Sequence, residues 1–423
     1  MNKIPAGYKK TEVGIIPIDW ALEEIQNVAE ITTGSKNTQD RIQDGSYPFF
    51  VRSQTVERIN SYSFDGEAVL TAGDGVGTGK VFHYINGKFD FHQRVYKISD
   101  FSERLIGYFF FLCFSQNFFN RIMQMTAKSS VDSVRREMIA KMVIPLPPPK
   151  EQLAIATALN DADALITQLE KLIAKKRLIK QGAMQQLLTG KKRLAGFDRH
   201  PDGRPKGHKQ TELGSIPEDW DLVPYEKAFD FLPTATYSRA QLSEHDEIGY
   251  VHYGDIHTKC LNFLDLDKLN LPTIKKELLK SYPTLIEGDV IIVDASEDYV
   301  GVGKSVEVKN LKNRKVISGL HTFLLRSKEN HIVNGFKGYI HSNELVKKQM
   351  DTLATGLKVY GVSKTNLKRI LIPLPAKVEQ AAIAQTLVDM AIGIDTLEAK
   401  LAKYKQIKQG MMQTLLTGKI RLL

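Results

Sequence analysis

Two long stretches, near the middle and at the end of the chain, carry apolar residues at alternating steps of four and three positions. A seam with this spacing is typical of a helix that packs lengthwise against another helix. The pattern predicts one long helix over 151–188 and a second over 379–416. The positions that we assign to a coiled-coil interface are Leu159, Ile166, Leu169, Ile173, Lys180 and Leu187 in the first helix, and Leu387, Ile394, Leu397, Leu401, Lys408 and Leu415 in the second.

A narrow seam of this kind cannot be buried by its own helix and therefore needs a partner. Because the chain contains two matching seams, we expect the two helices to pair in one coiled coil. The alternative is that each helix packs on its own neighbouring domain. Lys180 and Lys408 hold equivalent seam positions, where a polar side chain costs stability but can specify the register.

The two helices close the two copies of an internal repeat. Residues 144–194 and 372–422 are identical at 29 of 51 positions, at a constant shift of 228 residues. A shorter phrase, TEVGIIPIDW at 11–20, returns as TELGSIPEDW at 211–220, shifted by 200 residues. The inserts between these phrases barely resemble each other, and the second is longer by 28 residues. This pattern indicates one scaffold that carries two different binding domains.

The inserts have the pattern of mixed α/β domains. Short runs rich in β-forming residues alternate with glycine and asparagine turns, and helical patterns lie near 103–125 and 335–353. The predicted fold class is α/β (α+β), with two mixed domains separated and joined by the two long helices. The predicted division is a first domain at 1–148, a central helix at 149–192, a linker and repeat start at 193–219, a second domain at 220–376 and a C-terminal helix at 377–423.

The chain is moderately basic, with 58 Lys and Arg against 48 Asp and Glu and a net charge of +10. Such an excess suits a polyanionic partner. It is concentrated at 171–210, which holds twelve basic residues and two acidic ones. A solvated helix face and a nucleic-acid surface both remain open as interpretations.

Nothing in the sequence points to a membrane or to an oxidising compartment. The chain shows no charged and then apolar leader and no apolar run of membrane-spanning length. Cys113 and Cys260 lie far apart and in no metal-ligand spacing, as expected of free thiols. We expect a cytoplasmic protein without membrane contact.

Both inserts contain a Gly-x-Gly-Lys sequence, at 77–80 and 301–304. The first does not complete a P-loop, because Asp74 stands where the leading glycine is required and Val81 where Ser or Thr is required. Two interpretations remain. One is a purely structural turn between strands, and the other is a backbone contact to a nucleic-acid phosphate with Lys80 and Lys304 as the charges.

Several loops of the inserts mix hydroxyl, amide and cationic side chains, which hydrogen-bond both phosphate oxygens and base edges. Arg52 and His252 follow an aromatic strand at matching positions, and the alternative for each is a surface residue at a strand end. The candidate DNA-binding residues are Ser35, Lys36, Arg52, Lys80, Arg94, Lys128 and Ser129 in the first insert, and Tyr237, Arg239, His252, Lys304, Lys358 and Tyr360 in the second.

Signals for catalysis are weak. Asp294 followed by Glu307-Val-Lys309 imitates the metal site of many nucleases, but the first insert has no equivalent carboxylate pair. The histidines lack the spacing of metal hydrolases, so no metal site is expected in this chain. A self-sufficient metal-dependent nuclease and a non-specific assembly scaffold remain the alternatives to a DNA-reading protein.

The order and duplication of these motifs closely resemble the specificity (S) subunits of type I restriction-modification enzymes. Ile144–Pro147 with Glu151-Gln152, and Ile372–Pro375 with Glu379-Gln380, each lead into a helix that ends in Leu-Leu-Thr-Gly-Lys. The likeness covers essentially the whole chain.

The resemblance implies a non-catalytic subunit with two target recognition domains, each of which reads one half of a bipartite, asymmetric DNA site. It also implies that the two helices are antiparallel, set the spacer between the half-sites and dock two methyltransferase (M) subunits. S-adenosylmethionine, ATP and Mg²⁺ are then expected in partner subunits, together with adenine methylation by the M subunits and ATP-dependent cleavage by restriction (R) subunits. No cofactor is expected in this chain.

Overall fold

The computed structural model describes residues 4–125, 133–296, 301, 303–328, 331–353 and 360–422, without the side chain of Tyr360. The chain divides into two compact units, one made of Met1–Lys171 and Glu398–Leu423 and the other of Leu172–Leu397. The boundary falls within both long helices. Each unit therefore contains one binding domain and a part of each helix, and this division cuts across the five segments predicted along the chain.

The described residues of the first unit include the end of the C-terminal long helix. In addition, ten strands and three α-helices of the described part begin in this unit, and the third of these helices continues into the second unit. They are β1 (Tyr8–Thr11), β2 (Gly14–Pro17), β3 (Ala21–Glu24), β4 (Glu30–Thr33), β5 (Tyr47–Phe50), β6 (Glu57–Ile59), β7 (Phe64–Ala72), β8 (Phe82–Phe91), β9 (Val95–Ser99), α1 (Gly107–Met125), α2 (Arg136–Ala140), β10 (Val143–Leu146) and α3 (Pro149–Leu188).

A six-stranded sheet in the order β4-β9-β7-β8-β5-β6 forms the centre of the first binding domain. Its pairs are antiparallel except for β5 with β8. Successive residues of β7 point to opposite faces, so Val69 packs with helix α1 in one core and Leu70 lies in another. Helix α1 contributes Phe110, Phe114 and Phe118, whose rings stack at four-residue spacing with centroids 5.3 and 4.4 Å apart.

The second unit contains the remaining elements. They are β11 (His208–Thr211), β12 (Gly214–Pro217), β13 (Asp221–Pro224), α4 (Tyr225–Ala228), β14 (Phe229–Leu232), β15 (Ile248–Val251), α5 (Tyr253–Lys259), β16 (Phe263–Asp265), β17 (Thr273–Ile274), β18 (Val290–Val293), β19 (Ala295–Ser296), β20 (Ser305–Lys309), β21 (Val316–Ser318), β22 (Thr322–Ser327), α6 (Glu344–Leu353), β23 (Tyr360–Gly361), α7 (Lys364–Arg369), β24 (Leu371–Leu374) and α8 (Lys377–Leu415), the last of which continues into the first unit.

The second binding domain keeps the central pairing of the first domain and changes its surroundings. A five-stranded sheet runs β14-β22-β18-β20-β16, and β17-β15-β21 form a separate three-stranded sheet. Strand β18 alternates in the same way as β7, with Ile292 in one core and Ile291 in the other. The helical pattern predicted near 335–353 is broken in the structure, where a 3-10 helix at Lys337–Ser342 precedes α6.

The two long helices pack side by side in opposite directions within each unit. In the first unit, Lys405 of α8 pairs with Glu170 of α3 at 2.7 Å, and Lys408 pairs with Asp163 at 2.5 Å. Residue numbers rise along one helix as they fall along the other, as antiparallel packing requires. The predicted fold class, including antiparallel long helices, is confirmed.

Burial along the seam is uneven. Most of the twelve assigned seam positions are buried, namely Leu159, Ile166, Leu169, Ile173, Leu187, Leu387, Ile394 and Leu415. The half-buried positions are Lys180, Leu397, Leu401 and Lys408. The half-buried positions are thus the two lysines and the two leucines in the middle of α8, whereas the assigned seam positions in the middle of α3 are buried.

Two equivalent ion clusters join the repeat start to the helices. The first repeat cluster consists of Asp19, Trp20, Glu151 and Arg421, and the second repeat cluster consists of Asp219, Trp220, Glu379 and Arg193. In both, the buried glutamate accepts a hydrogen bond from the tryptophan Nε1, at 3.0 Å in the first cluster and 3.2 Å in the second. In both, the arginine bridges that glutamate and the aspartate. The end of one repeat therefore closes the domain that the other repeat begins.

The glutamine that follows each of these glutamates ties its helix to the insert. Gln152 accepts a hydrogen bond from the Ile106 backbone N–H at 2.9 Å and donates to the carbonyls of Arg104 and Pro147. Gln380 makes the same three kinds of contact with Val333, His331 and Pro375. The repeated Glu-Gln pair therefore encodes the joint between helix and domain.

None of the helices in the described part of the chain has both the length and the apolar character of a membrane span.

Candidate nucleic-acid interface

Three charged residues of the first domain meet where the central strands end. Arg52 follows β5, Asp74 follows β7 and Arg94 precedes β9. Arg52 Nη1 donates to Asp74 Oδ1 at 2.9 Å, and Arg94 Nε lies 3.7 Å from Asp74 Oδ2. The arginine side chains are 44% and 66% exposed, so this arginine cluster faces solvent while its carboxylate holds both cations together.

Close backbone packing brings these residues together. A Cβ on Gly73 would lie 2.9 Å from the Arg94 carbonyl oxygen, and one on Gly77 would lie 2.6 Å from that of Arg52. A side chain at either position would push the strand ends apart. The glycines of this loop therefore have a structural role that the Gly-x-Gly-Lys pattern alone did not reveal.

Three other candidates of the first domain, Ser35, Lys36 and Lys80, lie in segments that adjoin the strand ends of the arginine cluster. Lys36 forms a β-bridge with His92, and its carbonyl accepts a hydrogen bond from the Gln93 N–H at 2.8 Å. Ser35 is exposed in the same segment. Lys80 is exposed after the glycine loop, with its ammonium 5.5 Å from the centre of the Phe119 ring. Lys128 and Ser129 lie outside the described residues.

Backbone conformation and close packing explain the second glycine of the Gly-x-Gly-Lys pattern, which is Gly79 in the first domain and Gly303 in the second. Both have a left-handed backbone, with φ of 68° and 72°, which favours glycine. Added Cβ atoms would meet Ile122 in the first domain and Met350 in the second at 2.4 Å. The loop therefore needs glycine to pack against the following helix, which supports the structural interpretation of this turn.

Two candidates in the second domain are buried. Tyr237 is 8% exposed and its hydroxyl donates to the Leu278 carbonyl at 2.8 Å, so the prediction of a direct DNA contact does not fit its position. His252 is 7% exposed and caps α5, its Nδ1 accepting from the Gly254 N–H. Burial lowers the pKa of His252, and the Arg239 cation lowers it further. Both residues therefore stabilise the interior of the domain and are not part of its exposed surface.

The remaining candidates divide between the surface and internal contacts. Arg239 is exposed and pairs with buried Asp255 at 2.9 Å. It borders a cleft of about 890 Å³, whose other basic lining residues are Lys259, Lys276, Arg314 and Lys315 and whose acidic ones are Glu244 and Glu247. Lys304 is half-buried and donates to the His257 carbonyl at 2.9 Å. Lys358 and the side chain of Tyr360 lie outside the described residues.

A histidine that sequence reasoning missed occupies the position of Arg94 in the second domain. The Gly73 N–H donates to the Arg94 carbonyl at 2.8 Å, and the Asp294 N–H donates to the His321 carbonyl at 3.2 Å. Each bond lies one residue beyond the last pair of an antiparallel strand pair, β7 with β9 in the first domain and β18 with β22 in the second. Arg94 and His321 therefore hold equivalent positions. His321 Nδ1 lies 3.3 Å from the Asp294 carboxylate. An acidic residue after a strand in both inserts was the available sequence signal.

Comparison with known proteins assigns this architecture to a family. The model of the type I restriction modification DNA specificity domain matches residues 17–181 and 217–409. The chain belongs to this family.

Two relatives of this specificity-domain protein and one solved structure match it along nearly their whole length. The MjaVIII specificity subunit of a type I restriction enzyme from Methanocaldococcus jannaschii is 25% identical over 430 residues, covering 96% of this chain and 94% of that one. A putative MjaX specificity subunit from the same organism is 28% identical over 455 residues, covering 98% and 96%. The S subunit of a type I system from M. genitalium has the same fold, with a TM-score of 0.55, 14% identity and coverage of 94% and 96%.

The structure does not support the nuclease alternative for this specificity-domain protein. Glu307 is 1% exposed, and its carboxylate accepts backbone hydrogen bonds from Gly335 at 2.6 Å and Gly338 at 2.8 Å. The ammonium of Lys309 lies over the Phe263 ring at 4.1 Å. The acid and the lysine of the apparent motif are therefore used to hold the domain together. Among the described residues, no group of three or more His, Cys, Asp and Glu is arranged to hold a metal ion.

Proposed function

We propose that this protein is the DNA-specificity subunit of a type I restriction-modification complex, in which each binding domain reads one half of a bipartite, asymmetric site. The observation that carries the proposal is that a duplicated frame presents different side chains at equivalent strand ends. These are the arginine cluster in the first domain and the pair of Asp294 and His321 in the second. Because their chemistry differs, the two half-sites differ in sequence.

Charge supports DNA as the ligand. The first domain exposes Arg52 and Arg94, and the cleft beside Arg239 has five basic lining residues against two acidic ones. Exposed cations of this kind attract the polyanionic duplex as a whole, whose counterions are released on binding, so affinity falls steeply with salt. The net charge of +10 acts in the same direction.

The long helices are the proposed docking surface for two methyltransferase subunits. Ile179 of α3 and Ile407 of α8 hold equivalent repeat positions and are 46% and 43% exposed. An exposed aliphatic side chain that recurs at the same place in both copies suits two copies of one partner. In this proposal the partner subunits bind S-adenosylmethionine and methylate adenine, restriction subunits supply ATP- and Mg²⁺-dependent cleavage, and the complex works in the cytoplasm.

We also propose that the helices set the number of base pairs between the half-sites. Both helices continue without interruption through the boundary between the compact units. Insertion of four residues at 171–172 and at 397–398 is expected to change the tolerated spacer and leave both half-sites unchanged. Methylation of the original motif by such a variant would contradict this role.

The test of function is a map of methylated adenines in cells that contain the chain and its methyltransferase subunit. We expect one bipartite, non-palindromic motif that disappears when the chain is deleted. Exchange of one insert for that of another specificity subunit should change one half of the motif only. Methylation without a sequence preference would instead favour the assembly scaffold.

Partner docking has its own test. Ile179→Glu and Ile407→Glu are each expected to remove one of two methyltransferase copies from the purified complex, as measured by its mass, and the double variant should remove both. Ile392→Glu is the matched control, because Ile392 is 57% exposed on α8 but Ala164 occupies its repeat position. Two bound copies in the double variant would place the docking surface elsewhere.

A further inference from the structure

The arginine cluster leaves one guanidinium free to bind a ligand. Asp74 faces the Nε of Arg94 at 3.7 Å, so the two terminal nitrogens point away from that contact. Among the residues that the structure describes, the Arg94 side chain makes no hydrogen bond, and it is 66% exposed. Asp74 is fully used, since its other oxygen accepts from Arg52 at 2.9 Å.

The backbone of Arg94 is fixed more firmly than its exposure suggests. Its N–H donates to Nδ1 of buried His92 at 2.9 Å, and its carbonyl accepts from Gly73 at 2.8 Å. The strand β9 begins at the next residue. The guanidinium therefore projects from an ordered strand end and is oriented by a carboxylate, which lowers the entropic cost of binding.

We propose that Arg94 is a specificity-determining residue that reads a guanine in the half-site of the first domain. The proposal rests on the proposed DNA-reading function and adds the identity of a base and of its reader. Arginine offers two parallel N–H donors that match the O6 and N7 acceptors of guanine in the major groove. Asp74 is a positioning residue, because it lies against the Arg94 guanidinium, and Arg52 acts on Arg94 only through Asp74.

The carboxylate favours a base over a phosphate as the ligand. A phosphate bound by the two arginines would be repelled by the negative charge of Asp74, whereas the edge of guanine is neutral and is not repelled in this way. A carboxylate beside an arginine therefore weakens its binding to the DNA backbone. Val76, in the loop that follows Asp74, is 100% exposed, and the cost of this apolar surface falls when DNA covers it.

The second domain provides the contrast. His321 occupies the register of Arg94 and lies 3.3 Å from Asp294. A histidine ring cannot present the paired donors of a guanidinium to one base edge. The guanine that Arg94 reads is therefore a feature of one half-site, and the two halves are distinguished at equivalent places in the two domains.

The experiment selects DNA from a pool of random duplexes with the full-length chain and its methyltransferase subunits. Wild-type protein should recover a bipartite motif with an invariant guanine in one half. Arg94→Ala and Arg94→Lys should both lose preference at that one position, by roughly tenfold to a hundredfold, and retain the other half-site. Retention of the other positions in the half-site of the first domain is the internal check that this domain folds in each variant.

Arg41→Ala is the matched control, because Arg41 is a 60% exposed arginine of the same domain that also pairs with a single carboxylate, Glu57. It should leave the motif unchanged. An Arg94→Ala complex that recovers the same guanine and only binds all sequences more weakly overturns the proposal, as does a wild-type motif in which neither half requires guanine. A wild-type complex that selects no bipartite motif refutes the proposed function instead.

Discussion

The second repeat cluster is buried more deeply than the first. The Arg193 side chain is 7% exposed and Arg421 is 21% exposed, while both partner glutamates are 2% exposed. One difference between the clusters lies outside the repeat, because Lys206 of the linker reaches Asp219 at 2.7 Å in the second cluster. The same motif residues therefore contribute different amounts to the stability of the two units, depending on the non-repeated residues that contact them.

The binding domains show the opposite relation. Their central strands pair in the same order, β4-β9-β7-β8 in one and β14-β22-β18-β20 in the other, although their sequences barely resemble each other. At the equivalent strand end, however, one domain presents Arg94 and the other His321. The shared ladder thus keeps the reading position constant while the residue at that position changes.

The largest effect is expected when the arginine of each repeat cluster is removed. Arg193→Ala leaves the buried Glu379 carboxylate without its charged partner and should lower the free energy of unfolding of the second unit by about 3 kcal/mol. Arg421→Ala should cost the first unit less, about 1–2 kcal/mol, because water reaches that cluster more easily. Urea titration followed by tryptophan fluorescence measures both.

Each unit holds one of the two tryptophans of the chain, which gives a unit-specific signal. A Trp20→Phe background reports the second unit through Trp220, and a Trp220→Phe background reports the first through Trp20. Arg193→Lys is the matched variant that retains the charge and loses the paired hydrogen bonds, and an intermediate loss is expected. Equal losses for the two alanine variants would mean that burial does not distinguish the clusters.

A smaller, pH-dependent effect is expected from Asp219. Burial opposes ionisation of this carboxyl, but hydrogen bonds from Arg193 and Lys206 prevail and lower its pKa to about 2. Since the pKa is below its value of about 3.9 in the unfolded chain, the stabilisation is fully present above about pH 4 and is lost as the pH falls through 2. With a third of the side chain exposed, we expect a contribution of about 1 kcal/mol to the second unit.

The measurement is the urea midpoint of the second unit between pH 5 and pH 2 in the Trp20→Phe background. Asp219→Asn should flatten the pH dependence that Asp219 contributes. Asp19→Asn in the first unit is the control with a weaker expected effect, because Asp19 is 54% exposed and has no counterpart of Lys206. An unchanged pH profile in Asp219→Asn would show that the ion pair does not stabilise the fold.

The parts of the fold that were predictable are those that local periodicity encodes. The heptad steps predicted both long helices, because helical spacing is visible in the sequence itself. The Glu-Gln pair was visible as a repeat, yet its role was not. Glu151 acts with Trp20, which lies 131 residues away, and with Arg421, which lies 270 residues away, and such separations leave no local signal.

The candidate interface was predictable in type and only partly in position. Arg52 and Arg94 were predicted as DNA-binding residues, but their meeting at Asp74 depends on the sheet order β9-β7-β8-β5 and on two glycines in a loop. Tyr237 and His252 were predicted from residue type and neighbours, which do not reveal burial. An aromatic residue in a polar loop serves equally well as a surface contact or as a core residue until the strands around it are known.

The smallest effect concerns the two seam lysines, which have unequal surroundings. Lys408 pairs with Asp163 at 2.5 Å. Burial lowers the pKa of Lys180, and the nearby carboxylate of Asp395, already paired with Lys268, only partly offsets this.

The charge of Lys180 therefore destabilises the second unit, and Lys180→Met should stabilise that unit by about 0.5 kcal/mol. Lys408→Met should instead leave the first unit unchanged or destabilise it by up to about 0.5 kcal/mol, because Asp163 loses its partner. The tryptophan-specific urea titrations measure both changes, and Lys176→Met, at an exposed position of α3 in the second unit, is the control with no expected effect. Destabilisation by both seam variants to the same extent would show that the two lysines act alike, as a register lock built from the repeat would require.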